Sequence, residues 1–352
     1  MKRIFIALLF ALTCAPDAVQ SRPVLPDSPE STGAFRLNGG EDRPGIQPGR
    51  VFLTREEIDA LILLRYCKPP RLPTLERFTG NEEEGLEFRK ISLAAAGARI
   101  YVVTDRGQRI QPWSQRDFYL ATNRSTGIGI AVDRRSGEVR GYAKKNGSRL
   151  EIQGNLLGAL QFLAVDDSGS ASCATEMGDQ PINAADLASS ADMPSQSEAL
   201  QGEAISYEAV VAVETDNEWL GGFGDDVVEA LYWIEDAFLA MNVFFERDVE
   251  ARLLIGDVFL RPTSEPDPYS LTGGDRSGQL DEFGAYWKDN MEHVERQFAA
   301  MFSGRDITSR SFSGIAWVDQ YCEYGRTWGG RTPGSYSYNA IGSSWSASSI
   351  AL

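Results

Sequence analysis

Between residues 86 and 165 apolar and polar positions alternate in short runs. Phe88–Leu93, Ala98–Thr104, Asp117–Ala121, Ile128–Val132, Glu138–Tyr142, Arg149–Gln153 and Gln161–Val165 each place alternate residues on one face, as half-buried strands do. Asp105-Arg106-Gly107, Arg135-Ser136-Gly137 and Lys145-Asn146-Gly147 supply turns. Strands at a spacing of roughly 8–12 residues predict a β-sandwich or open barrel. Ahead of them, Thr54–Tyr66 has a capping box (Thr54, Glu57) and apolar Ile58, Leu61, Ile62 and Leu64, which predict a short helix ended by Lys68-Pro69-Pro70.

The period changes beyond residue 204. Ala204–Val213 reads as a strand. Asp225–Arg247 reads as a long helix, with Val227, Leu231, Ile234, Phe238, Met241 and Phe245 on one face. Ala251–Leu260 is a second strand. Leu280–Phe302 reads as a second long helix with Leu280, Phe283, Trp287, Met291, Val294, Phe298 and Met301 on its buried stripe. Strands at Ser311–Val318 and Ser335–Ile341 close the pattern. Strands alternating with helices predict a mostly parallel sheet with helices packed on it. Residues 166–204 between the two patterns hold few bulky apolar groups and many Ser, Ala, Asp and Gln, the composition of an exposed linker open to proteolysis. The prediction is an α+β chain of two domains. A β-rich region spans 50–165, and an α/β domain with two long helices spans 205–352.

Composition adds a direction to this division. Residues 50–150 hold 19 Lys and Arg against 12 Asp and Glu, whereas residues 151–352 hold 10 against 33. Two units of opposite sign attract each other, as an inhibitory segment and its enzyme would; a solvated acidic surface is the plainer account. The acidic second half speaks against nucleic acid, whose phosphates need clustered Lys and Arg. Lys2 and Arg3 precede the apolar Ile4–Leu12, which predicts a secretory signal over 1–21 and export to the periplasm or outside. Cys14 follows only a weak lipobox, so no lipid anchor is expected, and no later stretch approaches a transmembrane span. Residues 22–49, rich in Pro and Gly, read as a flexible leader. The mature chain keeps Cys67, Cys173 and Cys322, an odd number in an oxidising compartment.

Gly314–Cys322 (GIAWVDQYC) resembles the Gly-x-Ala-x-Val…Cys stretch ahead of the active-site helix in reprolysin/adamalysin-like zinc peptidases of the metzincin group. Tyr207–Thr215 (YEAVVAVET) is similar to that family's first strand, and the order of elements from Tyr207 to Ile341 is similar to its upper subdomain. The resemblance implies an exported zymogen of a metalloendopeptidase, with residues 50–165 as pro-domain in cis and 205–352 as an incomplete peptidase domain. It implies that Tyr336, Ser337, Tyr338, Asn339, Ala340 and Ile341 form the edge strand that grips an extended peptide substrate. It also implies zinc held by three histidines of His-Glu-x-x-His-x-x-Gly-x-x-His, with water activated by the metal and the glutamate.

That motif does not occur before Leu352, and His293, the one histidine, lies off the apolar stripe, so it reads as a surface residue. The expectation is therefore a chain cut off before its zinc helix. It has no stoichiometric metal and no catalytic residue of its own. Cys173 is a candidate latency thiol for an open zinc position, against a disulfide with Cys67 or an unpaired thiol. Cys322 is a disulfide candidate, with a partner downstream by family analogy, or with Cys67 or Cys173. Asp167-Ser168-Gly169 has no second copy, as an aspartic peptidase would need, and no Gly-x-Ser-x-Gly, phosphate loop or EF-hand appears. The alternative from another class is an exported, non-enzymatic binding or inhibitory protein that kept the fold.

Overall fold

The computed structural model describes residues 50–52, 86–123, 126–145, 148–156, 158–165, 170–177, 207–272, 275–305, 311–318, 320–327 and 329–342. The expected signal, leader, Thr54–Tyr66 helix, Cys14, Cys67, Asp167-Ser168-Gly169 and residues 178–204 of the expected 166–204 linker lie outside the described residues.

Two sheets carry the fold. The first is antiparallel throughout, built from β1 (Arg50–Phe52), β2 (Arg89–Ile91), β5 (Arg116–Thr122), β6 (Thr126–Asp133), β7 (Glu138–Lys145), β8 (Ser148–Asn155) and β9 (Ala159–Ala164), in the order β1-β9-β8-β7-β6-β5-β2. The second holds β3 (Ile100–Thr104), β4 (Gly107–Gln111), β10 (Ser170–Met177), β11 (Tyr207–Thr215), β12 (Ala251–Leu260), β13 (Phe298–Ser303), β14 (Ser311–Val318) and β15 (Tyr336–Ala340), in the order β10-β14-β15-β13-β11-β12-β3-β4. Within it only β14–β15 and β3–β4 pair antiparallel, so the sheet is mostly parallel as the pattern predicts.

Among the described residues three helices join these strands: α1 (Asn217–Gly221), α2 (Val227–Val249) and α3 (Arg276–Asn290). The chain runs from β11 through α2 to β12, then back past β11 through α3 to β13. Two crossovers of the same hand that move in opposite directions must lie on opposite faces of the sheet. Accordingly, Leu280, Phe283 and Trp287 of α3 pack with Ala212, Phe259 and Met301 in one core. On the other face α2 joins Val211, Val213, Leu253 and Ile255 of the second sheet to Phe118, Leu120, Ala131 and Tyr142 of the first. The layers are thus first sheet, α2, second sheet, α3.

Local chemistry fixes α2 in that position. The Asp226 carboxylate accepts from the Val228 and Glu229 amides at 2.9 and 3.2 Å, and Glu250 ends the helix in the left-handed region at φ 55°. Asn242, buried mid-helix, donates to the Leu253 carbonyl at 2.9 Å and accepts from the Leu253 amide at 2.8 Å, fastening α2 to β12. On the opposite side β6 offers bare backbone. A Cβ on Gly127 would lie 2.7 Å from Val243 Cγ1, and one on Gly129 would lie 3.0 Å from Leu239 Cδ1.

Several elements differ from the sequence reading. The expected Leu280–Phe302 helix stops at Asn290, and Phe298–Ser303 is strand β13, buried at every position. Its Phe-Ala-Ala-Met-Phe run continues the helical spacing of α3, so periodicity alone extends the helix. Arg296 makes the break: its guanidinium donates to the carbonyls of Met291 and Val294 at 3.0 and 2.9 Å and holds the chain in a turn. Asp105–Gly107 is a hairpin turn, and the β3–β4 hairpin it joins leaves the N-terminal strands to extend the second sheet, β3 lying parallel to β12. Ser170–Met177, read as linker, is strand β10. Tyr336–Ala340, read as an edge strand, is interior: β13 pairs it on one side and β14 on the other.

Gly127→Val should push α2 off β6 and destabilise the protein by about 1–3 kcal/mol, the usual cost of overpacking. Urea denaturation followed by tryptophan fluorescence checks this; an unchanged midpoint would mean that α2 does not lie against β6.

Candidate functional site

Two places in the second sheet gather chemistry. The first is the carboxyl ends of its parallel strands, where open α/β sheets commonly bind ligands. Asp216 follows β11 and is 1% exposed. Its carboxylate accepts from the Trp219 amide at 2.8 Å, which caps α1, from the Gly304 amide at 2.9 Å, and from the Ser303 hydroxyl. Tyr338 in turn donates to Ser303 Oγ at 2.5 Å. Burial raises the Asp216 carboxyl to about 6 against these donors. Next to it, Arg305 binds Glu218 and Asp267 at 3.1 and 3.0 Å. Deeper in the sheet, Glu214 accepts from Arg261 Nε at 2.8 Å and from the Trp287 indole; burial raises its carboxyl while Arg261 pulls it down. These groups bond one another and tie the ends of β11, β13 and β15 together. That is what buried charge must do to be tolerated.

The second place is the outer edge of β14. Within the set β12-β11-β13-β15-β14, which the resemblance covers, β14 is the terminal strand and the only antiparallel one. Its outer edge is filled by β10, which runs parallel to it in continuous register from Ser170 opposite Ser311 to Met177 opposite Val318. A strand whose backbone groups are bound in this way occupies the position an added extended peptide would take.

The residues singled out from sequence separate accordingly. Tyr336, Ser337, Tyr338, Asn339, Ala340 and Ile341 lie inside the sheet or at its buried end. They present no free edge to a peptide; the border strand of that set is Ser311–Val318. Their polar groups misled because their partners are tertiary: the Asn339 amide donates to the Met301 carbonyl at 3.1 Å, and the Tyr336 hydroxyl donates to the Tyr324 carbonyl at 2.5 Å. Cys173 lies on β10 opposite Gly314, in the middle of the covered edge. Cys322 is an exposed free thiol at φ 59° in the loop between β14 and β15. His293 is exposed in the turn after α3. Among the described residues no group of three His, Cys, Asp or Glu side chains converges as a metal site, so these residues do not fit a catalytic zinc. Among them, too, no helix is long and apolar enough to cross a membrane.

The strand that covers the edge did carry a sequence signal. Eight residues free of Gly and Pro, Ser170–Met177, stand between Gly169 and Gly178. Their small side chains hid it, because strand recognition leans on bulky apolar residues.

No protein-family model matches the chain, and no curated protein matches it. Among solved structures it is similar to the crystal structure of metalloproteinase-II from Bacteroides fragilis, at 10% identity over 81% of this chain and 82% of that one, with a TM-score of 0.32. A likeness of this size leaves the functional reading to the chain's own geometry.

Proline at Cys173 or at Ala174 tests the covered edge. Successive N–H groups of a strand point to opposite sides, so one of the two substitutions must remove a donor aimed at β14. Hydrogen exchange over Gly314–Ala316 should then speed up about tenfold, the worth of about one backbone hydrogen bond, while α2 keeps its protection. Undiminished protection of β14 in both variants would contradict the pairing.

Proposed function

We propose that this chain is the scaffold of an exported zinc metalloendopeptidase zymogen of reprolysin-like type, held latent by its own N-terminal region. One observation carries the reading: β10, from the segment ahead of the α/β unit, lies along the outer edge of β14. Support for the unit itself comes from its connectivity, β11-α2-β12-α3-β13-β14-β15, with a single antiparallel strand at its border. In this reading an extended protein substrate is the partner, and β14 grips its backbone while alternate side chains select. The substrate and β10 compete for the same donors and acceptors. The β3–β4 hairpin holds the opposite border, at β12, so the N-terminal region grips the unit at both ends of the sheet.

Zinc, when bound in such an enzyme, supplies an activated water for attack on the scissile carbonyl. None of the described residues is assigned to hold it, and their part is to position and to cover the peptide-binding edge. The signal-like Lys2–Leu12 supports export.

Expression of the whole reading frame that contains the Leu352 codon tests this function. A protein carrying His-Glu-x-x-His beyond Leu352 should cleave denatured casein after removal of its N-terminal region, and EDTA should abolish the cleavage. Residues 1–352 alone should bind no stoichiometric zinc and leave casein intact. EDTA-sensitive cleavage by residues 1–352 alone would overturn the reading. So would a frame without the motif, which favours a non-enzymatic binder.

A further inference from the structure

The seam between the first sheet and α2 carries more charge than packing requires. Arg116 of β5 is 6% exposed and faces two adjacent carboxylates of α2, Glu235 and Asp236, which are 2% and 3% exposed. Its guanidinium donates to Asp236 and to the Tyr232 carbonyl at 3.1 Å, and it stacks over the Tyr232 ring at 4.8 Å. Glu235 Oε2 lies 3.6 Å from the same guanidinium but has no hydrogen-bond partner. Beside it opens a cavity of about 250 Å³, walled by Lys90, Trp113, Ser114 and Phe118 among others.

Tyr142 of β7 is buried at the same seam, and burial and the Asp236 charge raise its hydroxyl well above its ordinary value, so it stays neutral across the range in question. The other charged and titratable groups around the seam are already engaged. Arg140 of β7 lies 3.7 Å from Asp236 and bonds Glu138 at 2.8 Å. Lys90 of β2 and Arg134 pair with Asp117 at 2.8 and 3.7 Å. Tyr232 donates to Asp133 at 2.8 Å, and Ser114, between β4 and β5, hydrogen-bonds Glu235. Glu229, in the first turn of α2, acts on Arg140. Arg140 reaches Asp236 but not Glu235, so among the described residues the buried Arg116 is the one guanidinium beside Glu235, and it is committed to Asp236 by direct hydrogen bonding. A second buried negative charge in that place is costly.

We propose that Arg116, Glu235 and Asp236 form a proton-operated latch: the seam between the first sheet and α2 is tight while Glu235 is protonated and loosens when Glu235 ionises. The inference rests on the seam alone and is independent of the peptidase reading. Burial, against the pull of Arg116, raises the Glu235 carboxyl from 4.5 to about 7 in the closed seam. A group raised by docking binds its proton more tightly in the docked state. The stabilisation is therefore complete below the ordinary carboxylate value and is lost as pH rises towards about 7.

Hydrogen exchange of the full chain, corrected for intrinsic rates and followed over Arg116–Asp133 and α2 from about pH 5 to about pH 8, tests the latch. Protection in the native protein should fall by up to about tenfold per pH unit to about pH 7 and then level off. Glu235→Gln keeps the shape and removes the titration, and it should flatten the profile at the acid-side value. Glu235→Met, which fills the same space without a polar group, should be equally flat and guards against a folding defect peculiar to Gln. If both variants keep the native slope, or if the native seam tightens as pH rises, there is no such latch.

Discussion

Helix α2 is enclosed along its middle by both sheets. From Ala230 to Glu246 none of its residues is exposed, because the first sheet covers one side and the second sheet the other. This constraint accounts for much of the molecule. A helix enclosed in this way must be largely apolar, and the polar groups it buries need partners. Asp236 is answered by Arg116 and Arg140, Glu246 by Arg89 and Arg252, and Asn242 by the backbone of Leu253. Every one of these arginines is a tie across the helix: three come from strands of the first sheet and one from β12. The glycines of β6 serve the same end, letting the helix approach the backbone where a side chain would hold it off.

The second constraint is the sheet's borders. With α2 on one face and α3 on the other, the strands from β12 to β14 have covered faces and two edges, and open edges invite uncontrolled pairing. The N-terminal part of the chain closes both, with β3 against β12 and β10 against β14. The two parts are therefore joined by backbone pairing at both borders as well as by the core around α2. Opposite charge in the two halves of the sequence agrees with that union. The specific ties, however, are the buried ones along α2 rather than a general attraction between surfaces.

Much of this was legible in the residues and part was not. The strands carrying Phe118, Leu120, Ile128 and Ile130 lie where the pattern puts them, but β5 and β6 are buried on both faces rather than one, because α2 covers the side that alternation leaves to solvent. The face of α2 carrying Leu231, Ile234 and Phe238 was equally plain, since a buried stripe at helical spacing has one local explanation. The Phe298–Ser303 strand was not legible, because a short apolar run fits either period and the turn before it depends on Arg296 reaching two carbonyls. The interior place of Tyr336–Ala340 was hidden for a related reason. Ser337 and Asn339 look like solvent-facing residues until their bonds within the sheet are known. The role of Ser170–Met177 lies in backbone pairing, which leaves little mark on side chains. Sequence reading finds what side chains announce locally, and it misses what distant backbone groups decide.

The account depends most on β10 lying in register along β14. Oxidative pairing of Cys173 with a cysteine introduced at Gly314 measures this directly, since residues in register on neighbouring strands have Cα atoms within about 4.4–6.8 Å, the range a disulfide spans. The account predicts that Gly314→Cys forms this bond on mild oxidation of the folded chain, identified by peptide mass mapping. Ile110→Cys, on β4 at the far border of the same sheet, should not form it. Failure of Gly314→Cys to cross-link, or equal cross-linking from both positions, would contradict the covered edge and the latency built on it.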